Sequence, residues 1–86
     1  MKTIDDRVVR VISRAAFVPE QDLSPDADLA ALGIGSLERI ECVLALEDEL
    51  HIELAHLDLH ALRTMRDVFD AVRKALADVD GRAPGR

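Results

Sequence analysis

Ser36 stands where a glycine-containing stretch, Leu32 to Glu38 (LGIGSLE), gives way to a run of helix formers. A serine hydroxyl at such a junction has two uses. It can cap the helix, worth about 1 kcal/mol. It can also stay exposed beyond Gly35, near the positive end of the helix dipole, where an attached phosphate diester is favoured. Enzymatic motifs fail on the same stretch. A G-x-S-x-G elbow is excluded because Ile34 precedes Gly35 and Glu38 follows Leu37. A dinucleotide fingerprint lacks its third glycine and a preceding strand, and there is no G-K-[ST] for a phosphate loop. No general base accompanies Ser36 in a recognised arrangement, so no enzyme is expected. His51, His56 and His60 invite a metal reading, because His56 and His60 are four residues apart. With one cysteine and no acid in a ligand pattern, exposed histidines and no metal are expected. Cys42 falls on a core-facing position, which predicts a buried, inert thiol.

These residues need elements to hold them. Ile4, Val8, Val11, Ile12 and Ala15 share one helical face, with Asp5 and Asp6 in the first turn, which predicts a helix from Thr3 to Ala16 ending ahead of Pro19. The following stretch (FVPEQDLSPDADLAALGIG) reads as a long loop, pinned to the core by Phe17, Val18, Leu23, Leu29, Leu32 and Ile34. Connections of that length are usually functional. From Ser36 to Leu50 a second helix carries two apolar stripes. Cys42, Val43, Leu46 and Leu50 lie on one side; Leu37, Ile40 and Leu44 lie nearly opposite. Only one stripe is needed for burial, so the other must meet a loop, a ligand or another protein. Glu41, Glu47 and Asp48 border the Leu37, Ile40, Leu44 stripe, which gives an apolar strip with an acidic rim, the anatomy of a docking surface. Arg39 falls at the edge of the core face, so its charged head must reach outward, with Glu38 and Glu53 as candidate ion-pair partners.

His56 to Leu62 reads as a short third helix of a turn or two. Thr64 and Asp67 then suggest a capping box, and Met65, Val68, Phe69, Val72 and Leu76 mark a final helix to about Ala77. The expected fold is all-α, a small four-helix bundle of three main helices and a short third one, with a long loop between the first two. One domain is expected over residues 1–78, followed by a flexible tail over 79–86 whose glycines and proline break periodicity.

Composition narrows the function classes. At 86 residues the chain has room for one core. It contains no Trp or Tyr and has a net charge of -6, which argues against nucleic-acid binding. Acidity is concentrated between Phe17 and Leu62, where eleven acids face the single base Arg39. Such a middle attracts cationic partners. A single cysteine offers no intrachain disulfide, there is no long apolar run, and acids follow the N-terminal MKTI. A cytoplasmic monomer without membrane insertion is expected.

The run LGIGSLERIECVLALEDELHIEL, from Leu32 to Leu54, resembles the acyl carrier protein family, whose attachment motif is commonly D-S-L opening a helix, followed by an acidic, leucine-rich stretch. The likeness covers roughly Ile4 to Leu76, including the loop segment DADLAALG. It implies that Ser36 receives a 4'-phosphopantetheine arm from coenzyme A through a phosphopantetheinyl transferase, and that the arm's thiol carries an acyl group as a thioester. It implies also that Leu37, Ile40, Glu41, Leu44, Glu47 and Asp48 meet basic patches of the enzymes that load, modify and unload the cargo. The pathways implied are fatty-acid, polyketide or specialised lipid synthesis. A peptidyl carrier with an aminoacyl cargo and an unmodified helical interaction module are the alternatives. Two positions depart from the family pattern: Gly35 stands where Asp is usual before the serine, and Arg39 where a small or uncharged residue is usual.

Overall fold

Thr3 and Asp6 close a reciprocal capping box. The Asp6 N–H donates to Thr3 Oγ1 over 3.1 Å and the Thr3 N–H to Asp6 Oδ2 over 3.2 Å, so helix α1 (Ile4–Ala16) starts with two otherwise orphaned donors satisfied. Helices α2 (Ser36–Leu50) and α3 (Met65–Gly81) are the other α-helices among the described residues, with a 3₁₀ turn at Glu20–Asp22 in the connection between α1 and α2. The computed structural model describes residues 3–54 and 57–81. Each of the first two helices stops at a residue in the left-handed region, Phe17 (φ 58) after α1 and His51 (φ 55) after α2. In both cases the next amide, Val18 or Ile52, donates back to a carbonyl in the last turn, Ser13 or Glu47. That reversal explains a difference from expectation. Phe17 does not pin the loop; it occupies the turn itself and is 93% exposed, while Val18 is the residue turned inward.

Val8 and Ile12 of α1, Cys42, Val43, Leu46 and Leu50 of α2, and Met65, Val68, Phe69, Val72 and Ala75 of α3 form one core. Leu23, Leu29 and Ile34 of the α1–α2 loop are buried in it as well, and Leu32 packs against it in part. The loop is held by more than its apolar residues. The Met65 N–H donates to the Ala27 carbonyl (3.1 Å), the Arg66 N–H to Pro25 (2.9 Å) and the Leu29 N–H to Arg63 (2.9 Å). The first turn of a helix has donors without intrahelical partners, so α3 spends two of them on tying down the segment that leads to α2. A surface ion pair, Arg66 to Asp26 (2.7 Å), reinforces this seam, but both side chains are exposed and such pairs contribute little. Arg73 of α3 pairs with Asp5 of α1.

The all-α class is as expected, and the described residues hold three α-helices where a bundle of four was expected. Where a short helix was expected over His56 to Leu62, there is a single 3₁₀ turn, Leu59–Ala61; His56 itself lies outside the described residues. The Asp58 carboxylate accepts the His60 N–H (2.9 Å), and the Ala61 and Leu62 amides make i to i−3 bonds that draw buried Leu62 into the core. A segment this short cannot offset the cost of α-helix nucleation, so the tighter turn prevails. At the other end, α3 continues through Gly81, past the expected stop at Ala77, so the first positions assigned to a tail are helical. Residues 82–86 lie outside the described residues.

The capping box expected at α3 is present. Asp67 Oδ2 accepts from the Arg63 N–H (2.9 Å) and the Thr64 N–H (3.0 Å), and the Asp67 N–H reaches Thr64 Oγ1 (3.4 Å). These bonds, that from Arg63 foremost, hold the Asp67 carboxyl below the usual carboxylate range. A lowered folded-state pKa contributes stability that is complete above the unfolded value, about 4, and is lost as pH falls through the folded value. Asp67→Asn should therefore melt below the wild type at neutral pH, with the gap closing as pH falls below about 4. Thermal melts across that range will check this; a gap independent of pH would assign the loss to packing.

Candidate functional site

Gly35, not Ser36, is the N-cap of α2, and Ser36 is the first helical residue. A glycine has no side chain with which to cap, so the helix start is completed from within: Glu38 Oε1 accepts the Gly35 N–H over 3.0 Å. A Cβ at position 35 would stand 3.1 Å from that same carboxylate oxygen, the end of a flexible side chain. Gly35 thus leaves room for Glu38 to fold back, and one carboxylate still stands beside the junction. The Ser36 hydroxyl is consequently released from the capping duty weighed for it. It is exposed, and among the described residues no hydrogen bond engages it. Its oxygen sits in the first turn, where unpaired backbone N–H groups and the positive end of the α2 dipole favour an attached anion. A phosphate diester fits this place without displacing any described contact.

The approach to the junction is rigid. Ile34, two residues ahead of Ser36, is 1% exposed, and its N–H donates to the Leu29 carbonyl over 2.9 Å. Gly33 turns the chain at φ 83, in the left-handed region that glycine adopts without strain, with its N–H on the Ala30 carbonyl (3.0 Å). Anchored backbone on one side and a helix on the other place the hydroxyl at a defined point on the surface.

The two stripes read on α2 separate as expected. Cys42, Val43, Leu46 and Leu50 are buried; Leu37 (63% exposed), Ile40 (42%) and Leu44 (58%) face outward. Beside them runs a groove lined by Ile40, Val43, Leu44, Glu47, Leu54, Leu57 and Leu59. The sequence pattern does not show that the segment after α2 supplies the far wall of that groove. Glu41 and Asp48 are exposed rim residues. Glu47 is not a free one. It is half-buried, and its Oε2 accepts the Leu54 N–H over 2.6 Å, joining the end of α2 to the returning chain.

Burial and the nearby Glu41 and Glu38 carboxylates push the Cys42 thiol up to about 11. Near pH 8 its thiolate population is about a hundredfold below that of an ordinary cysteine. Cys42 should resist iodoacetamide in the native protein and react at an ordinary rate in denaturant, as followed by mass; equal rates in both conditions would contradict its burial. Among the described residues no three His, Cys, Asp or Glu side chains gather to hold a metal. His51 closes α2, His60 is exposed on the 3₁₀ turn, and His56 is outside the described residues. No helix among the described residues is long and apolar enough to cross a membrane.

Arg39 forms no ion pair among the described residues, with Glu38 and Glu53 or any other acid. It is half-buried, and its side chain joins Ile12, Leu29, Ile34, Cys42, Val43, Leu46, Leu62 and Val68 in the wall of a core cavity of about 20 Å³.

Two comparisons with known proteins bear on this geometry. A family model described as a phosphopantetheine attachment site matches residues 6–72, from α1 into α3. The chain is also 32% identical over 69 residues to an acyl carrier protein of Syntrophobacter fumaroxidans, an alignment covering 79% of this chain and 85% of that relative.

Proposed function

Because the chain belongs to the family defined by a phosphopantetheine attachment site, we propose that Ser36 is the residue that carries the arm and that the cargo is an acyl group bound as a thioester. Members of this family are carriers, not enzymes, and the cofactor is covalent 4'-phosphopantetheine. When bound, the arm supplies a thiol on a long flexible tether. The protein's own residues present the attachment oxygen, favour the phosphate charge at the α2 N-terminus and offer partners a surface. The single observation that carries the reading is the exposed, unbonded hydroxyl in the first turn of α2, inside the matched segment. The acidic α2 favours acyl over aminoacyl cargo, and fatty-acid, polyketide or specialised lipid synthesis are the pathways that use such a carrier. Incubation with coenzyme A and a broad-specificity phosphopantetheinyl transferase should add the mass of one arm. No mass gain with several transferases would favour an unmodified interaction module.

Family members deliver cargo by docking on partner enzymes. The docking face we assign here is the Leu37, Ile40, Leu44 strip with Glu41 and Asp48 on its rim, and with Glu47 shaping the groove as well as facing the partner. Exposed rim charges act mainly on association rate and are screened by salt, whereas apolar anchors act on dissociation. Binding of a loading enzyme should weaken as salt rises and on charge reversal at Glu41 and Asp48, while Leu44→Ala should raise the off-rate with little change in on-rate. Surface plasmon resonance separates the two. Indifference to both salt and charge reversal would place docking elsewhere.

A further inference from the structure

We propose that the groove between α1 and α2 is a self-complementary surface on which a second copy of this chain docks, forming a weak two-fold dimer. Val11, Arg14 and Ala15 of α1 form one side of that groove and Ala45, Asp48 and Glu49 of α2 the other, around a space of about 250 Å³. The alanines are short, which leaves the groove open, and the exposed charges on its two walls are opposite in sign. Arg14 nevertheless forms no ion pair with either acid, and Arg7 and Arg10 form none with any acid among the described residues. Spacings of three and four residues set these arginines along one side of α1. Glu41, one heptad before Asp48, extends the acidic wall along α2 in the same way.

A surface with cations on one wall and carboxylates on the other is complementary to itself. A two-fold axis along the groove lays each copy's arginines over the other's acids, so every contact is made twice and the assembly closes as a dimer. A partner that is only acidic or only basic would satisfy one wall and repel the other, which is why the occupant is a second copy. Net charge does not forbid this. Each copy carries -6, but at physiological ionic strength exposed charges are screened beyond about 8 Å, so facing side chains outweigh distant acids. Phe17 bears on the same end of α1. It follows Arg14 by one turn, is 93% exposed and is held at φ 58, where a β-carbon is crowded. In an isolated copy it strains the backbone and leaves an aromatic ring in water, and burial of the ring at the rim of an interface offsets both costs. With a helix about 20 Å long and two helices about 20 Å wide, the face offers about 400 Å² per copy, in the class of weak, transient interfaces.

Sedimentation velocity of the full chain between about 10 µM and about 1 mM, the range suited to so small an interface, should show a monomer passing into a dimer. Raising salt to about 1 M, where screening reaches about 3 Å, should return it to monomer. Arg10→Glu with Arg14→Glu, and separately Asp48→Arg with Glu49→Arg, should each weaken self-association by about tenfold or more. An equimolar mixture of these two variants should regain it, because each wall then faces its opposite charge. Phe17→Gly removes the ring but suits the left-handed turn, so it should weaken the dimer while melting no lower than the wild type at about 10 µM. This variant keeps the test sharp where a charge-reversed chain fails to fold, which circular dichroism reports. The ¹H–¹⁵N signals of Ala15 and Ala45 should shift as concentration rises. A wild type that stays monomeric at about 1 mM, a dimer that survives both charge reversals, folded variants whose mixture does not associate, or a Phe17→Gly dimer as strong as the wild type would each overturn the proposal.

Discussion

Ser36→Ala should gain no mass with coenzyme A and transferase while melting within about 2–4 °C of the wild type. An exposed residue without a hydrogen bond contributes at most about 0.5 kcal/mol. The expected loss is all-or-none because the reaction forms a bond between the serine oxygen and the phosphorus of the arm, with the adenosine bisphosphate half of coenzyme A leaving, and alanine has no oxygen to offer. Other hydroxyls supply the controls. Thr3 and Thr64 are engaged in helix caps and Ser13 Oγ donates to the Val18 carbonyl. Ser24 is the other exposed serine, but it lies in the long loop and not at the start of an α-helix. Ser24→Ala should load normally. Mass gain retained in Ser36→Ala, with peptide mapping to Ser24, would reassign the attachment site.

Ile34→Ala should cost about 2–5 kcal/mol, a large part of the stability of a domain this small, and Leu37→Ala next to none. The two are separated by only Gly35 and Ser36. Ile34 is 1% exposed, in the wall of the core cavity, and truncating it enlarges a void that the surrounding helices fill only in part. Leu37 faces outward on the docking strip, so its removal should register in partner affinity instead. Denaturant unfolding of both variants, with binding to a loading enzyme measured alongside, distinguishes these roles. An Ile34→Ala protein as stable as the wild type would mean that the approach to Ser36 is held by its backbone hydrogen bonds and not by this side chain. Comparable destabilisation by Leu37→Ala would remove the strip from the exposed surface.

The periodicity of Ile4, Val8 and Ile12, of Cys42, Leu46 and Leu50, and of Met65, Val68 and Val72 was enough to determine three helices and their buried faces, because burying one stripe per helix is the dominant gain in folding. The outward stripe of α2 was legible by the same arithmetic, and the capping box of α3 by its side-chain spacing. Ser36 was marked as a candidate by its place at a loop-to-helix junction. Contacts between distant segments, or choices among local conformations of nearly equal energy, settled the rest. Phe17 points outward because the left-handed turn after α1 selects Val18 for burial. The segment before α3 forms a 3₁₀ turn because it is too short to nucleate an α-helix. Glu47 is partly withdrawn from the rim by Leu54, seven residues on, and Ser36 is relieved of capping by Glu38 folding back on Gly35. Arg39, assigned an ordinary ion pair as the simplest reading of its charge, instead lines a cavity whose walls come from all three helices and both connections. No helical wheel contains that cavity, because it exists only once those five segments have packed against one another.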